Sequence, residues 1–288
     1  MRDVKEILKK VRKIEIKTKR LSKHLFSGEY HSAFKGRGMS FSEVRAYNYG
    51  DDVRNIDWNV TARTNEAHVK VYEEERELTV MLLIDVSKSS FFGTSEQFKN
   101  DYITELAAVI SFSAITNNDK VGAILFTDQV EMYIPPKKGR QHILRIIREL
   151  IYLEPKGQGT NLKEPLQYLN NIIKKKSIAF IISDFITDSY EESLRIAAKK
   201  HDIIGLHVFD RYEKTIPDVG LLDVIDAETS EKKVIDTSSK AFRIKYEFEF
   251  LERQARFFKS FQMLGLKTAS ISTDDDYIKE MIKLFKSY

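Results

Sequence analysis

The feature that most constrains the fold is the run from Leu78 to Asp85, LTVMLLID, which is apolar on both alternating faces and ends in a carboxylate. A strand with one wet face alternates apolar and polar residues. A strand apolar on both faces is buried from both sides, as central strands of a helix-covered parallel sheet are. Ser177 to Ser183, SIAFIIS, repeats the pattern and is followed by Asp184.

Helix and strand patterns alternate around these two runs. Apolar residues at helical spacing predict helices over 97–116, 138–153, 162–175, 190–200, 240–264 and 275–286. Further strands are predicted over 120–127, 129–134, 202–209 and 267–272, and a hairpin from 220–226 and 232–236. Thr160 or Asn161 is expected to cap the helix that follows. Such alternation predicts an α/β, doubly wound, mostly parallel sheet with helices on both faces. The segment 129–134 follows a turn at Thr127-Asp128 too tight for a crossover, so it is predicted antiparallel. Residues 1–26 have a helical period, Gly28, Gly36 and Gly38 break it, and 28–77 reads as irregular or partly β. The expected organisation is a small N-terminal helical and irregular module over 1–77, followed by the α/β domain over 78–288.

Composition removes several classes of chemistry. The chain has no cysteine, which excludes disulfides, zinc–thiolate centres and cysteine nucleophiles and suits a reducing, cytoplasmic compartment. The basic stretch Lys9 to Lys23 is not followed by an apolar segment, so no secretory signal is expected. No run approaches the roughly 20 apolar residues of a spanning helix, so no integral membrane segment is expected. Residues 1–37 carry twelve Lys and Arg against four acids, a net of +8, while the whole chain is +4. That arm is a candidate for nucleic acid or anionic lipid. A solvated helix face, with Val4, Ile7, Leu8, Val11 and Ile14 turned inward, is favoured, because no aromatic residue interleaves the lysines and nucleic acid is therefore an unfavoured partner.

Ligands of open α/β sheets bind beyond the carboxyl ends of the strands, where the topology reverses. Asp85-Val86-Ser87-Lys88-Ser89 follows the first buried strand and Ser183-Asp184-Phe185 the second. Between them Gly157-Gln158-Gly159-Thr160-Asn161 opens a helix. The expectation is that these three loops meet at one edge. Ser87, Ser89 and Thr160 supply hydroxyls for a hard cation, Mg²⁺ or else Mn²⁺ or Ca²⁺, and Asp85 and Asp184 can hold its waters. The loops have no histidine, which argues against zinc. Neutral hydroxyls leave the ion undercompensated, so an outside carboxylate is the expected sixth ligand. Two other readings stand beside this one: the same residues as turn and cap residues only, and a metal-site skeleton with no metal bound in the cell.

Asp85-x-Ser87-x-Ser89, the distant Thr160 and Asp184 together resemble the metal-ion-dependent adhesion site of von Willebrand factor A domains. The resemblance covers roughly residues 78–275 and implies a von Willebrand factor A-like fold. Lys88 departs from the pattern by placing a cation near the metal.

Residues 36–63 are similar to the signature of the domain of unknown function 58 family, whose members join such a motif to a von Willebrand factor A-like domain. The core runs from Tyr49 to Trp58, YGDDVRNIDW. The resemblance implies a partner of the MoxR AAA+ ATPase type. Physically, Gly50-Asp51-Asp52 is a turn signal. Asp51, Asp52, Arg54, Asp57 and Arg63 are expected to form a charge-assisted network, with Trp58 buried as the anchor of the module. Metal binding or acid–base chemistry by these carboxylates is the alternative.

The favoured function is a cytosolic adaptor, not an enzyme, whose metal captures an Asp or Glu of a protein partner. A metal-dependent phosphohydrolase at the same edge is the second reading, with Asp85 as the sole nucleophile candidate and His142, His201 and His207 scattered. An adaptor that binds nucleic acid or membrane through the basic N-terminal helix is the third.

Overall fold

The computed structural model describes residues 39–74, 77–91, 98–157, 159–225 and 232–286. The predicted helix over 1–26 lies outside them. The main domain is built on six strands: β3 (Thr79–Asp85), β4 (Lys120–Phe126), β5 (Val130–Lys137), β6 (Ile178–Ser183), β7 (Asp202–Phe209) and β10 (Lys267–Ser272). Their order is β10-β7-β6-β3-β4-β5. All neighbours are parallel except β4 and β5, as the tight turn between those two predicts.

β3 sits between β6 and β4 and divides the core by its pleat. Val80, Leu82 and Ile84 face one side, where they pack with α2 (Lys99–Thr116), α3 (Arg140–Tyr152) and α8 (Tyr277–Lys286). Met81 and Leu83 face the other, with α4 (Lys163–Ile172), α5 (Glu191–Ala198) and α7 (Lys240–Gln262). Each such side chain contributes about 1.5–3 kcal/mol of burial, and two covered faces are why Val80–Ile84 has no polar position. α2 is itself buried on nearly all sides, because it lies between the sheet and α3. Its apolar stripe Ile103, Leu106, Ile110 begins one turn earlier with a lysine, Lys99, which is fully buried.

β5 closes one edge of the sheet, and its register against β4 shifts where Pro135 and Pro136 interrupt the ladder. Gly122 on β4 fits that approach: a Cβ there would lie 2.9 Å from Ile134 O and Pro136 N. Among the described residues, no helix is long and apolar enough to cross a membrane.

The N-terminal part is slighter. β1 (Met39–Ala46) and β2 (His68–Glu74) form an antiparallel pair. Between them lies α1 (Trp58–Thr64), capped by the Asp57 carboxylate, which accepts from the Asn59 and Val60 amides. Burial of Trp58 is not met: the indole is 69% exposed. A two-stranded ribbon with one short helix has little interior, and α1 has no buried residue. A second ribbon, β8 (Leu221–Ile225) with β9 (Lys232–Asp236), is antiparallel as predicted, and the one-turn α6 (Arg211–Lys214) precedes it.

Asp119, buried in the turn before β4, gives a test of this packing. One oxygen accepts the Leu78 amide at 2.9 Å and the other has no partner. Burial raises its pKa to about 6 from 3.8. The cost of ionising it is absent below about pH 4, grows up to about pH 6, and stays constant above. Asp119→Asn is therefore expected to be more stable than the parent by about 1–3 kcal/mol at pH 8 and not at pH 4. Urea denaturation at both pH values checks this, and parallel curves at equal stability would refute it.

Candidate functional site

The carboxyl ends of β3 and β6 adjoin, and their loops share one hydrogen-bond chain. Asp85 Oδ1 accepts the Ser87 amide at 2.9 Å and Oδ2 accepts the Ser183 hydroxyl at 2.6 Å. Ser87 Oγ lies 3.0 Å from Ser89 Oγ, which donates to Asp184 Oδ2 at 2.8 Å. Asp184 Oδ1 accepts the Ile186 amide at 3.1 Å. The turn after Asp184 puts Phe185 in the left-handed region at φ 54°, an uncommon conformation for a bulky residue. Its ring is held there by packing 4.3 Å, centroid to centroid, from Phe257.

Thr160 reaches the same edge through its backbone. The Asn161 amide donates to Thr127 O, past the end of β4, at 2.9 Å. Thr160 O accepts the Thr187 hydroxyl, from the loop after β6, at 2.9 Å. The segment therefore bridges the strands on either side of β3. Thr160 Oγ1 is buried and has no hydrogen-bond partner. The N-cap of α4 is Leu162, without a side-chain cap bond, rather than Thr160 or Asn161; the Asn161 side chain accepts the Lys163 amide at 3.0 Å just ahead of it.

Glu131 on β5, which the sequence reading missed, fixes this loop. Its Oε1 accepts the Gly157 amide at 2.7 Å, the Lys156 amide at 3.0 Å and Thr127 Oγ1 at 2.8 Å. Burial opposes its charge, but these donors outweigh it and hold the carboxyl below its usual range. The packing demands glycine at 157, where a Cβ would stand 2.0 Å from Thr127 Oγ1 and 2.1 Å from Asp128 Oδ1. Gly157→Ala is expected to lose about 1–3 kcal/mol, the scale of overpacking. An unchanged denaturation midpoint would contradict it.

The cation at this edge is Lys99. Lys88 is exposed, whereas Lys99 Nζ is fully buried and donates to Asp184 Oδ2 at 2.9 Å and Glu213 Oε1 at 2.7 Å. Glu213 belongs to the capping box that opens α6. Burial works against charge on all these groups. For Lys99 the two carboxylates overcome it and hold the ammonium above its usual range. For Asp184 the adjacent Lys99 overcomes it and lowers the pKa. For Asp85, burial and then the charge of Asp184 prevail and raise it to about 6. Glu213 is also raised, chiefly by burial. Lys99 was visible in sequence only as a lysine in register with an apolar helical stripe.

Among the described residues, no group of three or more His, Cys, Asp or Glu side chains is placed to hold a metal ion. Any cation here must therefore rely on hydroxyls. Beside Thr160 opens a cavity of about 330 Å³, lined also by Phe185, Thr187, Arg253 and Arg256. Arg256 pairs with Glu191 at 2.9 Å, while Arg253 is exposed. Of the histidines named above, His142 lies against Val121 O and His201 against Ser177, whereas His207, buried beside Ser270, also bonds the backbone of Asp184.

The signature motif is organised by local pairs. Gly50 turns at φ 107°. Asp51 takes a bidentate bond from Arg45, both contacts at 2.7 Å, and Asp52 pairs with Arg54. These bonds, with backbone donors, lower both carboxyls to about 2. Asp57 faces Lys70 at 3.7 Å. Arg63 is exposed and has no ion pair among the described residues. Arg45 and Lys70 are partners the sequence reading did not include, since only the β1–β2 pairing brings them near the turn.

Several known proteins resemble the chain. The uncharacterized protein Rv1480 of Mycobacterium tuberculosis is 28% identical over 280 residues, covering 96% of this chain and 88% of the relative. The uncharacterized protein MAV169 of Mycobacterium avium is 23% identical over 157 residues, covering 54% of this chain and 92% of the relative. Among solved structures, the conserved hypothetical protein BatB from Bacteroides thetaiotaomicron aligns with TM-score 0.49 and 15% identity, over 73% of this chain and 97% of that one. The SpRpn10 VWA domain aligns with TM-score 0.40 and 11% identity, over 72% of this chain and 94% of that one. The model of the family described as "Protein of unknown function DUF58" matches residues 43–256, most of the chain and both the signature motif and the strand-edge loops, and the protein belongs to that family.

Proposed function

We propose that this protein is a cytosolic protein-binding adaptor, in which Ser87, Ser89 and Thr160 hold Mg²⁺, or Mn²⁺ or Ca²⁺, with Asp85 and Asp184 behind them. The ion would capture an Asp or Glu carboxylate of a partner. The observation that carries the reading is Thr160 Oγ1: a buried hydroxyl without a partner, held by its backbone against the loop that follows Asp184. Buried polar groups are nearly always satisfied, and an orphan beside a strand-end cavity has room for a water, an ion or a ligand group. The donor set, hydroxyls with carboxylates in reach, suits a hard cation. When bound, the cation supplies a Lewis-acidic vertex for an oxygen ligand. The cavity beside Thr160, with Arg253 at its wall, offers room for an acidic segment around that carboxylate. Asp85 fits an ion-positioning role better than a nucleophile's, because both its oxygens already accept hydrogen bonds. By family resemblance, the proposed partner is a MoxR-type AAA+ ATPase.

Thr160→Val separates this reading from a purely structural one. Valine keeps the shape and removes only the orphan hydroxyl, so the chelated protein should be as stable as the parent or slightly more so. Its Mg²⁺ affinity by titration calorimetry should fall about tenfold or more, and a MoxR-type ATPase retained by the parent in Mg²⁺ should be released. Parent-like Mg²⁺ affinity in Thr160→Val would end the proposal.

A further inference from the structure

α7 carries apolar residues on two sides, and only one side is covered. Phe250, Phe257 and Phe261 are buried. Away from them, Ile244, Phe248, Leu251 and Phe258 are 37–59% exposed, and Ala255 is exposed in the same row. These five recur at intervals of four, three, four and three residues, the repeat of a seam between two helices. Single exposed apolar residues are ordinary, but a row of them along about four turns marks a contact surface. A second row of the same kind stands in the sequence ahead of β1. Val4, Ile7, Val11, Ile14, Thr18, Leu21 and Leu25 recur at three and four residues, with Thr18 the one polar member. A helix of that length is stabilised chiefly by packing such a face.

We propose that residues 4–25 form a helix that docks on this row of α7 in the same chain, antiparallel to it. Length and attachment fit. At helical rise the row from Ile244 to Phe258 is about 21 Å long and that from Val4 to Leu25 about 32 Å, so the first can be covered from end to end. Residues 26–38 join the segment to β1 and can extend to about 45 Å, roughly the width of a domain of this size. A tether of that reach gives the segment a high local concentration, which favours it over a second copy of the chain. Charges beside a seam set its direction. The α7 row is flanked by Glu247 and Gln254 on one side and by Lys245, Glu252 and Lys259 on the other; the N-terminal row is flanked by Lys10 and Lys17 on one side and by Leu8 and Glu15 on the other. Antiparallel packing sets the Glu247 side against Lys10 and Lys17, and the Lys245 and Lys259 side against Glu15. Parallel packing would set Lys245 and Lys259 against Lys10 and Lys17. Once docked, Lys9, Arg12 and Lys19 lie on the water side, so the charge of the arm needs no nucleic acid or membrane to account for it.

The chain has no cysteine, so introduced thiols can be spin-labelled without background. Two full-length double variants are made, Lys5→Cys with Lys259→Cys and Lys5→Cys with Lys245→Cys, and pulsed electron double resonance reads the distance in each. The first pair is expected to give a narrow distance under about 25 Å, two helix axes about 10 Å apart plus the label arms. The second should be longer by about 10 Å or more, from the rise along α7. Adding Phe248→Glu and Leu251→Glu to the first pair should abolish the short distance, with circular dichroism showing the domain still folded. If that variant does not fold, Val11→Glu in the arm takes its place with the same expectation. A broad or long first distance without these glutamates overturns the proposal, and so does the reverse order of the two distances. A short distance that survives the glutamates in a folded chain overturns the assignment to this row. A short distance seen only between singly labelled molecules, mixed before measurement, gives the row to a second copy and overturns it as well.

Discussion

Asp184→Ala is expected to destabilise the domain by about 3–5 kcal/mol, the cost of leaving one partner of a buried ion pair without the other. Asp184 sits at the junction of two systems. It accepts Lys99 and Ser89 on one oxygen and the Ile186 amide on the other. Removing it leaves the Lys99 ammonium with Glu213 alone and frees the turn whose Phe185 is held in a left-handed conformation. Asp184→Asn keeps the shape and an acceptor for Ile186, so its loss should be smaller than alanine's. Urea denaturation of both variants in chelator checks the ordering. A loss below about 1 kcal/mol for alanine, the range of an exposed ion pair, would show that Lys99 and Asp184 are not a closed pair in solution.

The other strand-end carboxylate should behave in the opposite way. At Asp85, burial and the charge of Asp184 raise the pKa to about 6 from 3.8. The penalty for ionising it is therefore missing below about pH 4, builds up to about pH 6 and is full at pH 8. Asparagine removes that penalty while keeping an oxygen for the Ser87 amide. Asp85→Asn is expected to be more stable than the parent by about 1–3 kcal/mol at pH 8 in chelator. In the proposed role it should also lose about 10–100-fold in Mg²⁺ affinity, the usual effect of a removed outer carboxylate. Chemical denaturation and calorimetry on one preparation test both halves. A variant that is less stable at pH 8, or that binds Mg²⁺ like the parent, would sink the assignment.

The two carboxylates looked alike in the sequence, since each follows a run apolar on both faces. What separates them is a lysine distant in the chain, and distance is what pattern reading handles least well. The strands were legible because burial from both sides leaves no polar position, and Val80–Ile84 and Ile178–Ile182 have none. The antiparallel β5 was legible because a tight turn admits no crossover. Asp85, Ser87, Ser89 and Asp184 could be grouped because each directly follows a strand end. Lys99 and Glu131 could not, for they come from a helix start and an edge strand, and only the folded sheet brings them to the loops. Trp58 misled for a different reason. Its size argues for burial, but the ribbon that carries it has no interior to offer.

The break at Pro135 and Pro136 governs how this molecule can meet others. Proline has no amide hydrogen, and where two occur in succession an extended peptide from outside finds no run of donors to zip against. At that end of β5 the outer border is thereby poorer in donors, which lessens templated growth there, the common hazard of an open sheet margin.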